Sequence, residues 1–133
     1  MPVTLASARR MIEAAKVKAD AIGVPMVVAV VDAGGNLVAM DRQDEALLVS
    51  LELARDKAFS ALAVKADTAT IGRLSQPGAE LFGLGRAMGG RIVTFGGGLP
   101  VVEDGKIVGG IGVSGGSVSE DTSCAAAGLA AYA

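Results

Sequence analysis

The stretch Gly85–Ser117, GRAMGGRIVTFGGGLPVVEDGKIVGGIGVSGGS, decides the fold, because its glycines stand among residues that favour β-strands. Such a stretch is typical of a phosphate-binding loop, a low-complexity linker, or a sheet that comes very close to another group. Asp104-Gly105 lies between two apolar runs, which is a strong signal for a β-hairpin, and residues 91–95 are a further strand candidate. Glycines inside strands mark bulges or the close approach of a backbone or ligand, so the stretch predicts a glycine-rich sheet.

A second hairpin precedes this stretch. Residues 26–32, MVVAVVD, form a continuous apolar run after Pro25 and predict a strand buried on both faces. Gly34-Gly35 provides a turn into a second strand, residues 36–42. Because the strands come as hairpins between helical segments, the sequence predicts an α+β fold, an antiparallel sheet with helices packed on its faces. No internal repeat or linker divides residues 1–133, which predicts a single domain.

Helices are predicted where apolar residues recur at a spacing of 3.6. Gly23 is placed to end the first helix, and Ser117 with Glu120 forms the capping-box pattern at the start of the last one. The segment 77–90 has no period and is expected to wrap the surface. The predicted helices cover residues 4–22, residues 46–66, a short turn before Gly72 capped by Asp67 or Thr68, and a C-terminal segment after Ser117.

Composition excludes several classes of function. The net charge of −2, with interspersed charges, lacks the basic face that nucleic acid requires. No apolar run approaches the roughly 18–20 residues of a membrane span. The chain has no histidine and one cysteine, so no metal site is predicted. The lone Cys124 excludes an internal disulfide and favours a reducing, cytoplasmic location.

Four charged residues are candidates for a site. Lys57 and Arg55 lie about 200° apart around the second helix, so at least one faces the sheet, a neighbouring subunit or a ligand. Lys57 is a candidate for ligand binding or catalysis, with a buried ion pair as the alternative. Asp32 ends a buried strand, either as a proton-transfer group or as the anchor of the following turn. Glu120 suits the helix dipole and is also an acid/base candidate.

Two glycine-containing segments are candidates for contact with a ligand. The first segment, residues 96–100, either presents N–H groups to an anion or makes a tight connection into a strand. It lacks the Lys-Ser/Thr ending of a P-loop. The second precedes a helix, where unpaired N–H groups favour an anion, and simple capping is the alternative. The residues are Gly96, Gly97, Gly98 and Pro100 in the first segment, and Ser114 and Gly115 in the second.

Two long motifs resemble the GlcG/HbpS family, which includes the C-terminal domain of PduO-type adenosyltransferases. They are VVDAGGNLVAMDRQDEALLVSLELARDKAFSA, residues 30–61, and GGGLPVVEDGKIVGGIGVSGGSVSEDTSCAAAGLAAY, residues 96–132. The resemblance implies a profilin-like fold, homo-oligomers up to octamers, and a link to haem or related tetrapyrroles. The histidines that bind haem iron in some members have no counterpart here. The remaining candidate ligands are Tyr132, a methionine, Cys124 or a hydroxyl, and a haem without axial ligation is the alternative.

Three functional hypotheses follow. The first is a cytoplasmic homo-oligomer that binds haem or a similar flat ligand between subunits without histidine ligation. The second is a metal- and cofactor-independent isomerase, tautomerase or hydratase/lyase that acts on a small carboxylate-bearing catabolite. Its catalytic candidates are Lys57, Arg55, Asp32 and Glu120. The third is a structural oligomer without a small ligand. In all three, the chain itself is an expected partner, and nucleic acid and membranes are not.

Overall fold

The computed structural model, which describes residues 2–133, contains five helices and four strands. The strands form one antiparallel sheet in the order β2–β1–β4–β3, so the predicted α+β fold of two hairpins with helices on the faces is confirmed. No helix of residues 2–133 combines the length and apolarity needed to cross a lipid bilayer. The bounds are α1 Leu5–Ile22, β1 Val27–Asp32, β2 Leu37–Arg42, α2 Val49–Val64, α3 Thr68–Leu74, a 3₁₀ turn Leu84–Arg86, α4 Ala87–Gly90, β3 Gly98–Glu103, β4 Lys106–Ser114 and α5 Val118–Ala130.

Strand β1 lies in the interior of the sheet, and its side chains alternate between the two faces. Val28 and Val30 belong to the core that the sheet shares with α1 and α5. Val27 and Ala29 point to the opposite face, where they pack with Ala54 of α2. The strand predicted to be buried on both faces is therefore confirmed, and the sheet lies between α2 on one side and α1 with α5 on the other.

The glycines of β4 allow α2 to lie directly on the sheet. A Cβ atom built on Gly112 would lie 2.5 Å from the backbone nitrogen of Ala58, and one built on Gly110 would collide with the Ala58 carbonyl oxygen. On the facing side of α2, Ala54 and Ala58 are fully buried. Of the three interpretations of the glycine-rich stretch, the sheet that closely approaches another backbone is the one the structure contains.

Helix ends follow the local signals, with small shifts. Gly23 closes α1 with a φ of 72°. The Ser117 hydroxyl accepts a hydrogen bond from the Glu120 N–H, and the Glu120 carboxylate accepts one from the Ser117 N–H, so the predicted capping box is confirmed. Helix α2 begins at Val49 rather than at residue 46. Helix α3 continues through Gly72 to its end at Leu74.

The strand predicted over residues 91–95 is wrong. These residues run beside α2 without pairing to the sheet. The Ser60 hydroxyl of α2 accepts a hydrogen bond from the Val93 N–H at 2.8 Å, and its single proton is shared between the Asp56 carbonyl at 2.6 Å and the Arg91 carbonyl at 3.0 Å. Because a helix side chain bonds these backbone groups, the segment does not need a neighbouring strand, and β3 begins only at Gly98.

Candidate functional site

Lys57 of α2 is fully buried and forms an ion pair with Asp121 of α5. Its ammonium donates hydrogen bonds to Asp121 Oδ2 at 2.9 Å and to the Val113 carbonyl oxygen at 3.0 Å. Asp121 Oδ1 accepts a hydrogen bond from the Gly116 N–H at 2.8 Å. Buried charges are stable only when they are paired and hydrogen-bonded, so this cluster joins α2, β4 and α5.

Two residues before β3 shape the surroundings of the ammonium. A Cβ atom at Gly97 would lie 2.6 Å from Lys57 Nζ, so a glycine is needed there to leave room for the charge. The ring centroid of Phe95 lies 5.0 Å from Nζ, which is a cation–π distance. An ammonium has three N–H donors, and two of them are directed at oxygen atoms. Phe95 itself is 41% exposed.

The electrostatics of this cluster change the chemistry of the amine. Burial lowers the pKa of the Lys57 ammonium below its ordinary value, and the hydrogen bond and charge of Asp121 act in the opposite direction. Burial favours the neutral amine, which is the basic and nucleophilic form of lysine, whereas the neighbouring carboxylate favours the ammonium. Perturbed titratable groups concentrate at functional sites, which makes the cluster a candidate site.

The structure separates the other charged candidates from Lys57. Arg55 is exposed on the outer side of α2. Asp32 is at the far end of β1, where its carboxylate accepts hydrogen bonds from the N–H groups of Gly34 and Asn36 and anchors the turn. The Glu120 carboxylate is engaged in the capping box. The catalytic roles assigned to these residues stay predictions.

The glycine-containing candidates pack against the same cluster. The Gly98 N–H donates to the Thr68 hydroxyl at 2.9 Å, and the Gly97 carbonyl accepts from the Val113 N–H. Gly96, Gly97 and Gly98 are buried, and Pro100 lies within β3. The Ser114 hydroxyl donates to Ser50 of α2, and Gly115 packs against the chain before β1. These backbone groups serve contacts within the chain, and a role in ligand binding stays a prediction.

Sequence reasoning missed Asp121 as the partner of Lys57 and missed Phe95 altogether. A signal for the partner exists: Lys57 shares one helix face with Ala54, Ala58 and Ala61, so it had to be buried with a carboxylate. Asp121, in the first turn of α5, is the acid that supplies it. Phe95 gives no such signal, because its contact with the ammonium depends on the path of the chain into β3.

A groove of about 400 Å³ opens on the segment between α3 and β3. The residues that line it include Phe82, Arg86 and Thr94. Phe82 is 66% exposed, and Met88 nearby in sequence is 60% exposed. The groove therefore combines an unpartnered aromatic face with a cation, and Thr94 places it next to Phe95 along the chain.

A second groove, of about 710 Å³, lies between the C-terminal end of α1 and β2. It contains Met40, but carboxylates dominate its polar lining. Of its cations, Lys16 is paired with Asp41 at 2.9 Å, and Arg42 donates to the Ala46 carbonyl oxygen. This surface is less suited to an anionic flat ligand than the groove at Phe82 and Arg86.

The iron ligands that the resemblance leaves open differ in accessibility. Cys124, Met11 and Met26 are fully buried. Burial and the neighbouring Glu103 raise the pKa of Tyr132, which disfavours the tyrosinate that would bind iron. Among the sulfur atoms of residues 2–133, those of Met88 and Met40 are therefore the accessible ones, and Met88 is the more exposed.

Comparison with known proteins gives consistent results. A family model described as haem degrading protein HbpS-like matches residues 3–130. An uncharacterized 15.0 kDa protein in the dhaT-dhaS intergenic region of Citrobacter freundii is 46% identical over 119 residues, which make up 90% of this chain and 84% of that protein. The corrinoid adenosyltransferase PduO of the same organism is 41% identical over 131 residues, 98% of this chain. The chain spans only 39% of the length of PduO.

The solved structures agree with these relatives. A structure described as a PduOC:heme complex superposes with a TM-score of 0.91 and 43% sequence identity. The superposition covers 94% of this chain and 91% of that one. The fold and the sequence therefore point to the same set of relatives.

Proposed function

This chain belongs to the GlcG/HbpS family, and from that premise we propose that it binds haem or a related tetrapyrrole on the surface of residues 74–95. The groove at Phe82 and Arg86 is the observation that carries the proposal. The relative whose structure is described as a haem complex supports this class of ligand. The proposal concerns binding and assigns no reaction to the haem.

The exposed side chains of the segment suit a flat, apolar ligand with carboxylates. An aromatic face such as that of Phe82 stacks on a planar macrocycle, and a guanidinium such as that of Arg86 binds a carboxylate through two hydrogen bonds. Monomeric proteins rarely expose contiguous apolar surface without an interaction to make. The exposed large apolar residues of the segment are Leu74, Leu81, Phe82, Met88 and Phe95.

Met88 is the residue that would offer a thioether to haem iron; it follows Arg86 by two residues, although it is not among the residues that line the groove. A thioether is an established ligand of haem iron, and this chain offers no imidazole. Bound haem supplies an iron centre with redox and ligand-binding chemistry. The protein's own part is to hold the macrocycle on Phe82, to bind a propionate through Arg86 and to present the Met88 sulfur.

Self-association and location belong to the same proposal. The groove is open on one side, so a second subunit covers the other face of the ligand in a homo-oligomer, from a dimer to an octamer. The reduced, buried Cys124 suits the cytoplasm. Both statements extend the family relationship and need their own measurements.

Titration of the purified protein with haem tests the proposal. We expect a saturable Soret band with one haem per site, and a change in its position with Met88→Leu, because the sulfur ligand is lost. Arg86→Gln removes a charge-assisted hydrogen bond of about 1.5–3 kcal/mol, so affinity falls roughly 10- to 100-fold. Met40→Leu is the matched control and leaves the spectrum unchanged. Absence of a saturable Soret band, or equal effects of Met88→Leu and Met40→Leu, contradicts the proposal.

A further inference from the structure

Lys57 is a buried charge that haem binding on the surface does not use. Its neighbours are the Val113 carbonyl, the Asp121 carboxylate, Gly97 and the ring of Phe95. The first three are buried, whereas Phe95 is 41% exposed. Among these neighbours Phe95 is thus the one that reaches solvent, so a reactant is expected to approach the amine past its ring.

The ion pair favours an uncharged reactant over an anion. The charge of Lys57 is already balanced by Asp121, so an incoming carboxylate would meet a pair of zero net charge. In a site of low dielectric constant, transfer of one proton from Lys57 to Asp121 converts the ion pair into a neutral amine and a carboxylic acid. A neutral amine is a nucleophile toward carbonyl carbon.

We propose that Lys57 forms a reversible imine with a small aldehyde or ketone that enters when the Phe95 ring swings outward. The amine nitrogen attacks the carbonyl carbon, and Asp121, which has taken the ammonium proton, protonates the carbonyl oxygen. Asp121 next takes a proton from the nitrogen of the carbinolamine and passes it to the hydroxyl group, which leaves as water. The result is a C=N bond to Nζ and one water molecule, with no oxidant or reductant consumed.

The chain around Phe95 suits this movement. Phe95 precedes three glycines, and Gly97 has a φ of 126°, a conformation that side-chain-bearing residues rarely adopt. Side chains that are partly exposed change rotamer on the picosecond to nanosecond timescale. The opening therefore needs a rotation of one side chain and no rearrangement of the sheet. Beside Gly97 there is no room for a further atom, because a Cβ there would lie 2.6 Å from both Lys57 Nζ and the Val113 carbonyl oxygen, so the reactant has to fit in the volume that the Phe95 ring vacates.

Reductive trapping tests the inference on the full chain without haem. The folded protein is incubated at pH 7 with acetaldehyde and cyanoborohydride, digested, and the lysine-containing peptides are followed by mass spectrometry. We expect the Lys57 peptide to lose its unmodified form before the peptide of Lys106, which is an exposed lysine. Modification of Lys106 and the other exposed lysines with Lys57 unmodified overturns the proposal.

One variant and the buried thiol of Cys124 separate gated access from unfolding. Phe95→Ala removes the ring and is expected to raise the rate at Lys57 several-fold while leaving the rate at Lys106 unchanged. Equal rates at Lys57 in Phe95→Ala and the parent overturn the role of Phe95. The buried thiol of Cys124 reports on unfolding, because iodoacetamide modifies it only when the core opens. Modification of Lys57 only in molecules whose Cys124 is also modified overturns the inference. Met88→Leu, which is expected to alter haem binding, should leave the reaction at Lys57 intact. A failure of the haem proposal can therefore be distinguished from a failure of this inference.

Discussion

Lys57 and Asp121 depend on each other in the core. Each is almost fully excluded from solvent, and each satisfies the charge of the other at 2.9 Å. Removing one partner from such a pair leaves a charge that neither water nor protein balances, which is strongly destabilising. Asp121 also accepts a hydrogen bond from the Gly116 N–H, so it needs to remain an acceptor even when the charge is removed.

We expect Lys57→Met to destabilise the protein by about 3–5 kcal/mol. The cause is the unpaired Asp121 carboxylate, since the methionine itself is close in volume to lysine. The double variant Lys57→Met/Asp121→Asn keeps an acceptor for Gly116 and removes the orphaned charge, so it should recover part of the loss. Urea unfolding of the two variants and the parent measures these differences. A double variant less stable than Lys57→Met would show that the carboxylate contributes independently of the lysine.

Cys124 provides a second test of the core. The thiol is fully buried, and burial raises its pKa above the ordinary value. Because the thiolate is the reactive form, the folded protein should react with iodoacetamide far more slowly at pH 8 than the urea-unfolded protein. A raised pKa in the folded state means that this contrast persists as the pH rises through the ordinary pKa of the thiol. Equal rates for the folded and unfolded protein would contradict the buried position.

At the scale of elements, the close packing of α2 on β4 determines which side chains fit at the contact between them. Gly110 and Gly112 carry no side chains because the backbone of α2 occupies that space, and Ala54 and Ala58 supply the matching small surface. This arrangement is also what brings Lys57 over the sheet. The fold and the candidate site thus share one cause, which is the close approach of a helix to a glycine-rich strand.

We expect Gly112→Ala to destabilise the protein by about 1–3 kcal/mol or more, the cost of overpacking a core. The new Cβ atom would meet the backbone of Ala54 and Ala58, which cannot rotate away as a flexible side chain would. Gly85→Ala is the control, because its Cβ would lie 3.3 Å from a methyl group of Thr94 and φ is not positive there. Thermal unfolding of both variants checks the prediction. Equal melting temperatures for the two would refute it.

Local signals predicted the hairpins and helices, because Asp104-Gly105, Pro25 and the Ser117–Glu120 pattern act within a few residues of the structure they specify. The strand predicted at residues 91–95 failed, because a hydroxyl of α2, distant in sequence, bonds that segment's backbone. Lys57 was identified from its position on an apolar helix, whereas its pairing with Asp121 depends on the docking of α5. The sequence around Lys57 thus indicates that a buried carboxylate is needed but does not indicate which one, because the identity of a long-range partner leaves no pattern in neighbouring residues.

At the scale of the whole molecule, most of the exposed large apolar residues fall in two stretches of the chain, and the others are single residues. One group lies between α3 and β3, around Phe82, and another lies at the start of α2. Leu48 in the second group is 76% exposed, between two further exposed apolar residues. Contiguous apolar surface exposed on a protein marks a site of association, and symmetric homo-oligomers are a common way of covering it.

We therefore expect the protein to form a symmetric oligomer, with a mass in light scattering that is a multiple of the 13.2 kDa chain. If residues 47–49 lie in a subunit interface, Leu48→Glu places a charge in it and shifts the population to smaller species, because a desolvated, unpaired carboxylate is costly. Val17→Glu is the matched control, since Val17 is similarly exposed but lies between two lysines on α1, and it should leave the mass unchanged. Both variants should keep the melting curve of a folded subunit. A single 13.2 kDa species at micromolar concentration for the parent protein would refute the oligomer, and an unchanged mass for Leu48→Glu would move the interface away from the start of α2.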